Sequence, residues 1–348
     1  MYSNMSQYEV TIGIPVYNIE RYVTRMMESA LAQTFTSIEF LVLDDCGTDG
    51  SIDIVRSYQQ RHPRGRDIRI VRQPRNMGLG QARNRIVAEA RGRYLYHLDG
   101  DDTIAPNAIE LLYAEMRRHN AQLVYGSYER VYEDGSAPNK PCVYPYRVFT
   151  GEGKFAHFVY AKYDALQANT WNFLIDIAVY RDNHIGHQPV NFWEDFTFTM
   201  DLPTYVTRVV MLPQVTYSYY MRENTLSNIQ RRDHIAKEEI LKTVRALEAV
   251  KANSGRIKDK TYFPMRLYKV MMTDFYVVCS ILHHRSITEP PFTPREIRDV
   301  MSSPLTFAEV VRLRQWRARN LMLYALSVLP PRLSVACMWA AGKLRHLI

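Results

Sequence analysis

Apolar runs and helix-spaced patterns alternate through the first half of the chain. VTIGIPV (residues 10–16) is a strand-length apolar run, of the kind buried on both faces of a sheet. Residues 19–33 return to a helical spacing, and IEFLVLDD (38–45) reads as the next strand. A helix over 51–61 and a third strand over 67–73 follow, then a helix over 81–91 whose exposed side is basic. Residues 94–98 predict a fourth strand, Pro106 opens a helix reaching about residue 119, and 121–128 predict a fifth strand. Strands alternating with helices argue for a mostly parallel α/β sheet with helices on both faces, a Rossmann-like arrangement. Residues 129–221 are Tyr- and Trp-rich, with strand-like stretches (NFLIDIAVY, VVMLPQVTYSYYM) and a short helix over 196–201. From about residue 235 the pattern is helical to the end, broken near Gly255, Pro290-Pro291 and Pro330-Pro331. The expected division is an α/β domain over 1–228 and a helical region over 229–348.

Composition narrows the class. The chain has 348 residues with ordinary apolar content and a formal net charge of +8. Its opening residues are polar, without a basic region followed by an apolar core, so no signal peptide is expected. No apolar run approaches the roughly 20 residues of a spanning helix. Four scattered cysteines, without CxxC or metal spacing, read as free thiols in a reducing, cytoplasmic compartment. The positive charge is concentrated late: no acidic residue follows Glu309, while seven arginines and lysines do. Between them lie the apolar blocks 321–329 and 333–341, with Trp316 and Trp339 close by. These predict helices lying on an anionic membrane surface, against the plainer alternative of a helical cap with solvated arginines. Nucleic acid is not an expected partner, since no binding motif accompanies the charge.

Chemistry gathers at the predicted strand ends, where ligands bind in open α/β sheets. The fourth strand ends in HLDGDD, placing Asp99 and Asp101 two residues apart and able to share a face. Two hard carboxylates there suit Mg²⁺ or Mn²⁺ bridging a diphosphate. Gly100 leaves room for a ligand to approach the backbone. In isolation DGDD is more often a solvated turn; its neighbours change that balance. The first strand ends in PVYN, where Pro15 fixes a turn, Tyr17 offers a face to a nucleobase and Asn18 suits a helix cap. After the second strand, Asp45 suits a hydrogen bond from a uracil N3–H. RNMGLGQARN (75–84) sets Gly78 and Gly80 at a helix start, with Arg83 placed to meet a diphosphate. It lacks the third glycine of a dinucleotide fingerprint. His184 and His187, in an irregular polar stretch, read as solvated loop residues.

The set PVYN, LDDCGTDGS, RNMGLGQARN, YLYHLDGDD and FWEDFTF, in that order over residues 9–225, resembles the family-2 glycosyltransferases, inverting nucleotide-sugar transferases of the GT-A fold. The resemblance implies that Pro15, Tyr17, Asn18 and Glu20 line the nucleoside pocket and that Asp45 reads the base. It implies that Asn76, Gly78, Arg83 and Asn84 hold the ribose and diphosphate, and that Asp99 and Asp101 form the metal-binding DxD. Asp195, with Glu194 beside it, falls on the family's acidic pair and would be the general base. Trp193 stands where the family usually has Gly, a departure on the acceptor side. Arg222 matches a basic residue that closes over the diphosphate. The physics agrees: inversion needs one carboxylate free to take a proton and others to hold the metal at the leaving group.

The expectation is therefore transfer of a sugar from a nucleotide-sugar, with UDP the favoured carrier, to a glycan or lipid-linked acceptor in cell-surface polysaccharide synthesis. The work would be done at the inner face of the membrane. A sugar nucleotidyltransferase shares the sheet order, but no early Gly-rich loop with a lysine is present. An inactive membrane-docked scaffold is opposed by the joint presence of Asp45, Asp99, Asp101 and Asp195.

Overall fold

The computed structural model describes residues 8–133, 135, 137–161, 166, 169–190, 194–221 and 234–348. The chain forms two compact units, one of residues 1–155 with 168–225, the other of 156–167 with 226–348. The excursion at 156–167, expected to belong to the first domain, groups with the second.

The first unit is organised by one curled sheet. Its strands are β1 (Tyr8–Val16), β2 (Ile38–Asp44), β3 (Ile68–Arg72), β4 (Gly92–His97), β5 (Thr103–Ile104), β6 (Leu123–Tyr132), β7 (Lys140–Cys142), β8 (Arg147–Thr150), β9 (Phe173–Asp176) and β10 (Arg208–Met221). The main path runs β3-β2-β1-β4-β9-β6-β10-β5. Pairs β3–β2, β2–β1, β1–β4 and β6–β10 are parallel. Strand β9 runs antiparallel to both β4 and β6, so strands consecutive in sequence are not always neighbours in the sheet. Only the first part of NFLIDIAVY is strand; its second half is the helix α6, because Asp176 takes the Ala178 N–H at 3.0 Å and turns the chain.

Helices α1 (Glu20–Leu31), α2 (Ser51–Arg61), α3 (Leu79–Glu89), α4 (Ala108–Arg118), α5 (Lys154–Ala161), α6 (Ala178–Asn183) and α7 (Glu194–Asp201) complete the first half of the chain. Alternation on β1 sorts the helices: Val10, Ile12 and Ile14 join α1, α2 and α4 in one core. Gly13 points the other way, where an added Cβ would lie 2.3 Å from Ile86 of α3. Helices therefore cover both faces, and all three parallel strands β1, β2 and β4 end at one edge.

The second unit is helical: α8 (Lys237–Asn253), α9 (Phe263–His283), α10 (Pro294–Val300), α11 (Phe307–Arg312), α12 (Arg317–Val328) and α13 (Pro331–Leu344). Two short strands, β11 (Ile235–Ala236) and β12 (Thr288–Glu289), pair in parallel. Thr293 with Glu296, and Thr306 with Glu309, form capping boxes that start α10 and α11. Lys251 meets Asp274 at 3.0 Å inside this unit and also donates to the carbonyls of Val300 and Ser302. Among the described residues, no helix is long and apolar enough to cross a membrane.

Candidate active site

The loops at the strand ends are locked to one another by short polar side chains. Asn18, at φ 51°, accepts the Thr48 N–H at 2.7 Å instead of capping α1. The cap comes from across the loop: Asp49 accepts the Glu20 N–H at 2.8 Å, and Glu20 returns a bond to the Gly50 N–H at 2.9 Å. Burial would raise the Asp49 carboxyl, but the Ser51 hydroxyl and the Glu20 and Ser51 N–H groups outweigh it and hold it low. Pro15 is not in a turn. It lies in β1, paired with Leu43, beyond the last residue that β1 shares with β4, where its missing N–H is not needed.

Asp45 spends one oxygen on the Met77 N–H (2.8 Å) and the other on the Gly78 N–H (3.0 Å). Asn76 also accepts from the Gly78 N–H. Gly78, at φ 82°, is the residue before α3 and needs glycine's freedom there. Asp45 therefore ties the loop before α3 to the end of β2. Burial raises its carboxyl pKa, with the two backbone bonds opposing. Tyr17 is half exposed and available to stack.

The centre of the site is Arg83. Its side chain is fully buried, so it does not reach out to a ligand as expected. It donates to Asp99 at 2.8 Å and to Asp195, and lies 3.6 Å from Glu194. Burial would depress the guanidinium; Asp195, Asp99 and Glu194 together overcome that and raise it. One arginine thus spans the carboxylate at the end of β4 and the acidic pair opening α7. Asp195 also accepts the Thr170 hydroxyl at 2.5 Å. Burial pushes the Asp195 and Glu194 carboxyls up, with Arg83 opposing in both cases. Both remain partly open, at 22% and 12% side-chain exposure, so Asp195 is held in place yet reachable. Asn84 also departs from the expectation. Its amide clamps the backbone of His187, donating to the carbonyl and accepting from the N–H, both at 2.8 Å.

The DGDD turn divides its three carboxylates. Asp102 is buried and turned inward: it accepts the Tyr217 hydroxyl at 2.7 Å and the Tyr220 N–H at 2.9 Å. Burial, then Asp99, pushes its carboxyl well up. Arg25 donates to the Asp101 carbonyl at 3.0 Å and lies 3.5 Å from the centre of the Tyr220 ring. Gly100 is needed for packing: a Cβ there would stand 2.3 Å from Ile19 Cδ1 and 3.0 Å from the Pro15 carbonyl oxygen. Asp99 keeps 19% side-chain exposure beside its bond to Arg83, and Asp101 follows two positions on in the same turn. Two carboxylates fit a divalent ion that takes its other ligands from a diphosphate and water. Among the described residues no cluster of three or more His, Cys, Asp or Glu could hold a metal alone.

Residues 11–177 match the family model described as "Glycosyl transferase family 2". The first unit belongs to glycosyl transferase family 2. Its relatives include a chondroitin synthase of Escherichia coli, 32% identical over 47% of this chain and 23% of that protein. A cholesterol galactosyltransferase of Borreliella burgdorferi is 25% identical over 78% and 77%. The succinoglycan biosynthesis protein ExoO of Rhizobium meliloti is 27% identical over 65% of each chain. The chain therefore spans about a quarter of the synthase and most of the galactosyltransferase. The fold matches S. aureus TarS 1–349, with a TM-score of 0.66 at 15% identity over 97% of this chain and 92% of that one. It also matches a Pyrobaculum calidifontis mannosyltransferase crystallised with GDP-Man and Mn²⁺, TM-score 0.51 at 13% identity, covering 97% and 89%. The GT-A fold expected from the motifs is the fold of this chain.

Two expected site residues of the transferase, Trp193 and Arg222, lie outside the described residues. Three others were missed or misjudged. His187 is buried, not solvated; it stacks on Phe198 at 4.6 Å and meets His97 edge-on at 6.2 Å. Burial and Arg83 push His97 down to about 3 and His187 well below its usual value, so both imidazoles are neutral. With Tyr180 they form an aromatic floor for Arg83.

Proposed function

We propose that this chain is an inverting, metal-dependent glycosyltransferase that moves a sugar from a UDP-sugar to a hydroxyl of a glycan or lipid-linked acceptor in cell-surface polysaccharide synthesis. The observation that carries the reading is the pairing of two carboxylates, Asp99 and Asp195, on the two ends of one buried arginine. One lies at the DxD rim and the other is partly open at the start of α7. Asp195 takes the proton of the acceptor hydroxyl as that oxygen bonds to the sugar C1 and the bond from C1 to the diphosphate breaks. A raised carboxyl pKa favours a base of this kind at neutral pH. Asp101 and Asp99 would hold Mn²⁺ or Mg²⁺, which supplies positive charge at the departing diphosphate. Tyr17 stacks on the base, while Asn18, Glu20, Asp45 and Asn76 keep the nucleoside loops in register.

The UDP preference is supported by a neighbour of this fold, TarS 1–349, whose complex with UDP-GlcNAc matches with a TM-score of 0.55 at 18% identity. The polysaccharide role is supported by the names of the chondroitin synthase and ExoO relatives. A place at the cytoplasmic membrane face is supported by the C-terminal helices. The test is calorimetric UDP binding with Mn²⁺ and with EDTA, together with turnover of Asp195→Asn and Asp101→Asn. Asp195→Asn should lose at least about a hundredfold in transfer rate and keep metal-dependent UDP affinity; Asp101→Asn should lose both. Full activity in either variant refutes the assignment.

A further inference from the structure

The two C-terminal helices are turned inside out. Helix α13 buries Ser334, Met338 and Gly342, a four-residue spacing of small or flexible side chains. The Ser334 hydroxyl anchors that face, donating to the Leu326 carbonyl at 2.6 Å. The large apolar side chains point the other way: Leu333 is 50% exposed, Trp339 45% and Leu344 84%. At 100° per residue, Leu333, Cys337, Ala340 and Leu344 form one outward stripe. Arg332, Trp339 and Lys343 line its flank. Helix α12 buries Asn320 and Leu323 while Met322 and Val328 are more than half exposed, with Arg319 one turn before Met322. Isolated exposed apolar residues are ordinary; a stripe bordered by charges of one sign is not.

We infer that the outward faces of α13 and α12 are a docking surface for an anionic lipid bilayer. Leu333, Trp339 and Leu344 enter the headgroup–acyl boundary, and Arg332 and Lys343 meet the headgroups. Charge selects this occupant. No acidic residue follows Glu309, so a second copy placed face to face would oppose Arg332 and Lys343 to their counterparts, whereas anionic lipid complements them. Length selects the mode: helices of 12 and 14 residues reach roughly 18–21 Å, short of the ~30 Å hydrocarbon core, and must lie flat. Docking rests on the proposed transfer only for its purpose, delivery to a lipid-linked acceptor.

The test sediments the full chain, without donor or metal, with phosphatidylglycerol–phosphatidylcholine vesicles and with phosphatidylcholine vesicles alone. Binding is expected to the anionic vesicles only and to weaken with salt. Each cation near the surface is worth about fivefold in partitioning, so the double variant Arg332→Ser/Lys343→Ser should bind about 25-fold more weakly. Leu333→Ser/Leu344→Ser should lose about a hundredfold. Both variants alter exposed positions and should keep the wild-type melting temperature and UDP affinity. The inference is overturned by absent or equal binding to the two vesicle types, or by a solution dimer that the Leu333→Ser/Leu344→Ser variant dissociates. Vesicle binding without any nucleotide affinity would sink the transferase assignment and leave the docking surface standing.

Discussion

Replacing Arg83 by Met fills most of the same volume and deletes, among the described residues, the cation that pairs with Asp99, Glu194 and Asp195. The wild-type guanidinium is fully buried, 2.8 Å from Asp99 and 3.6 Å from Glu194, and hydrogen-bonded to Asp195. Removing one partner of a buried ion pair costs about 3–5 kcal/mol, because the other charge is left uncompensated. Here Asp99 and Asp195 keep 19% and 22% side-chain exposure and can recover part of that by taking protons or water. The lower figure, about 3 kcal/mol, is the better expectation. The first unit has about 210 residues, hence an unfolding entropy near 0.4 kcal/mol/K and a fall in Tm of about 7 °C. A second readout follows from charge. Asp195 is raised by burial with Arg83 holding it back; without Arg83 it rises further. The acid limb of the kcat/KM–pH profile should therefore move to higher pH, with activity partly recovered in alkaline buffer. Arg83→Lys keeps the charge but not the fork, and should fall between. Calorimetry and a pH–rate profile of both variants decide it. A Tm within about 2 °C of wild type together with an unmoved acid limb refutes the bridge.

Gly100→Ala sets a Cβ 2.3 Å from Ile19 Cδ1 and should cost about 1–3 kcal/mol. Adding Ile19→Val, which deletes that methyl, should restore most of the stability measured by urea unfolding; if it restores nothing, the glycine is not there for packing. In the second unit, burial pushes Asp274 up to about 7 despite Lys251, against about 3.9 in an unfolded chain. The folded state then binds the extra proton between those values, so stability of that unit should fall as pH rises from about 4 to 7. Asp274→Asn should flatten this slope in urea midpoints taken at several pH values; an equally steep slope in the variant refutes the attribution.

The parts of this molecule legible in its sequence are those set by short range. The nine strands and helices expected between residues 10 and 128 all fall within a few residues of their expected limits, because each is set by a local pattern closed by local turn chemistry. The DGDD carboxylates and the acidic pair before FTF could be found for the same reason. What could not be read depends on partners far along the chain. Asp102 turns inward because β10 presents Tyr217 and the Tyr220 N–H to it, from more than a hundred positions away. Strand β9 slips between β4 and β6 by long-range pairing alone, which no periodicity announces. Arg83 stands out in the sequence, but its ion pairs with Asp99 and Asp195 do not. A basic residue on the first turns of a helix near a phosphate-type loop suggests a ligand contact, and only the fold reveals that two acidic elements converge on it from 16 and 112 positions away. The neutrality of His97 and His187 follows first from their burial and then from the arginine's charge. The site is thus organised from a buried cation outward, and its carboxylates are arranged around Arg83 rather than around one another.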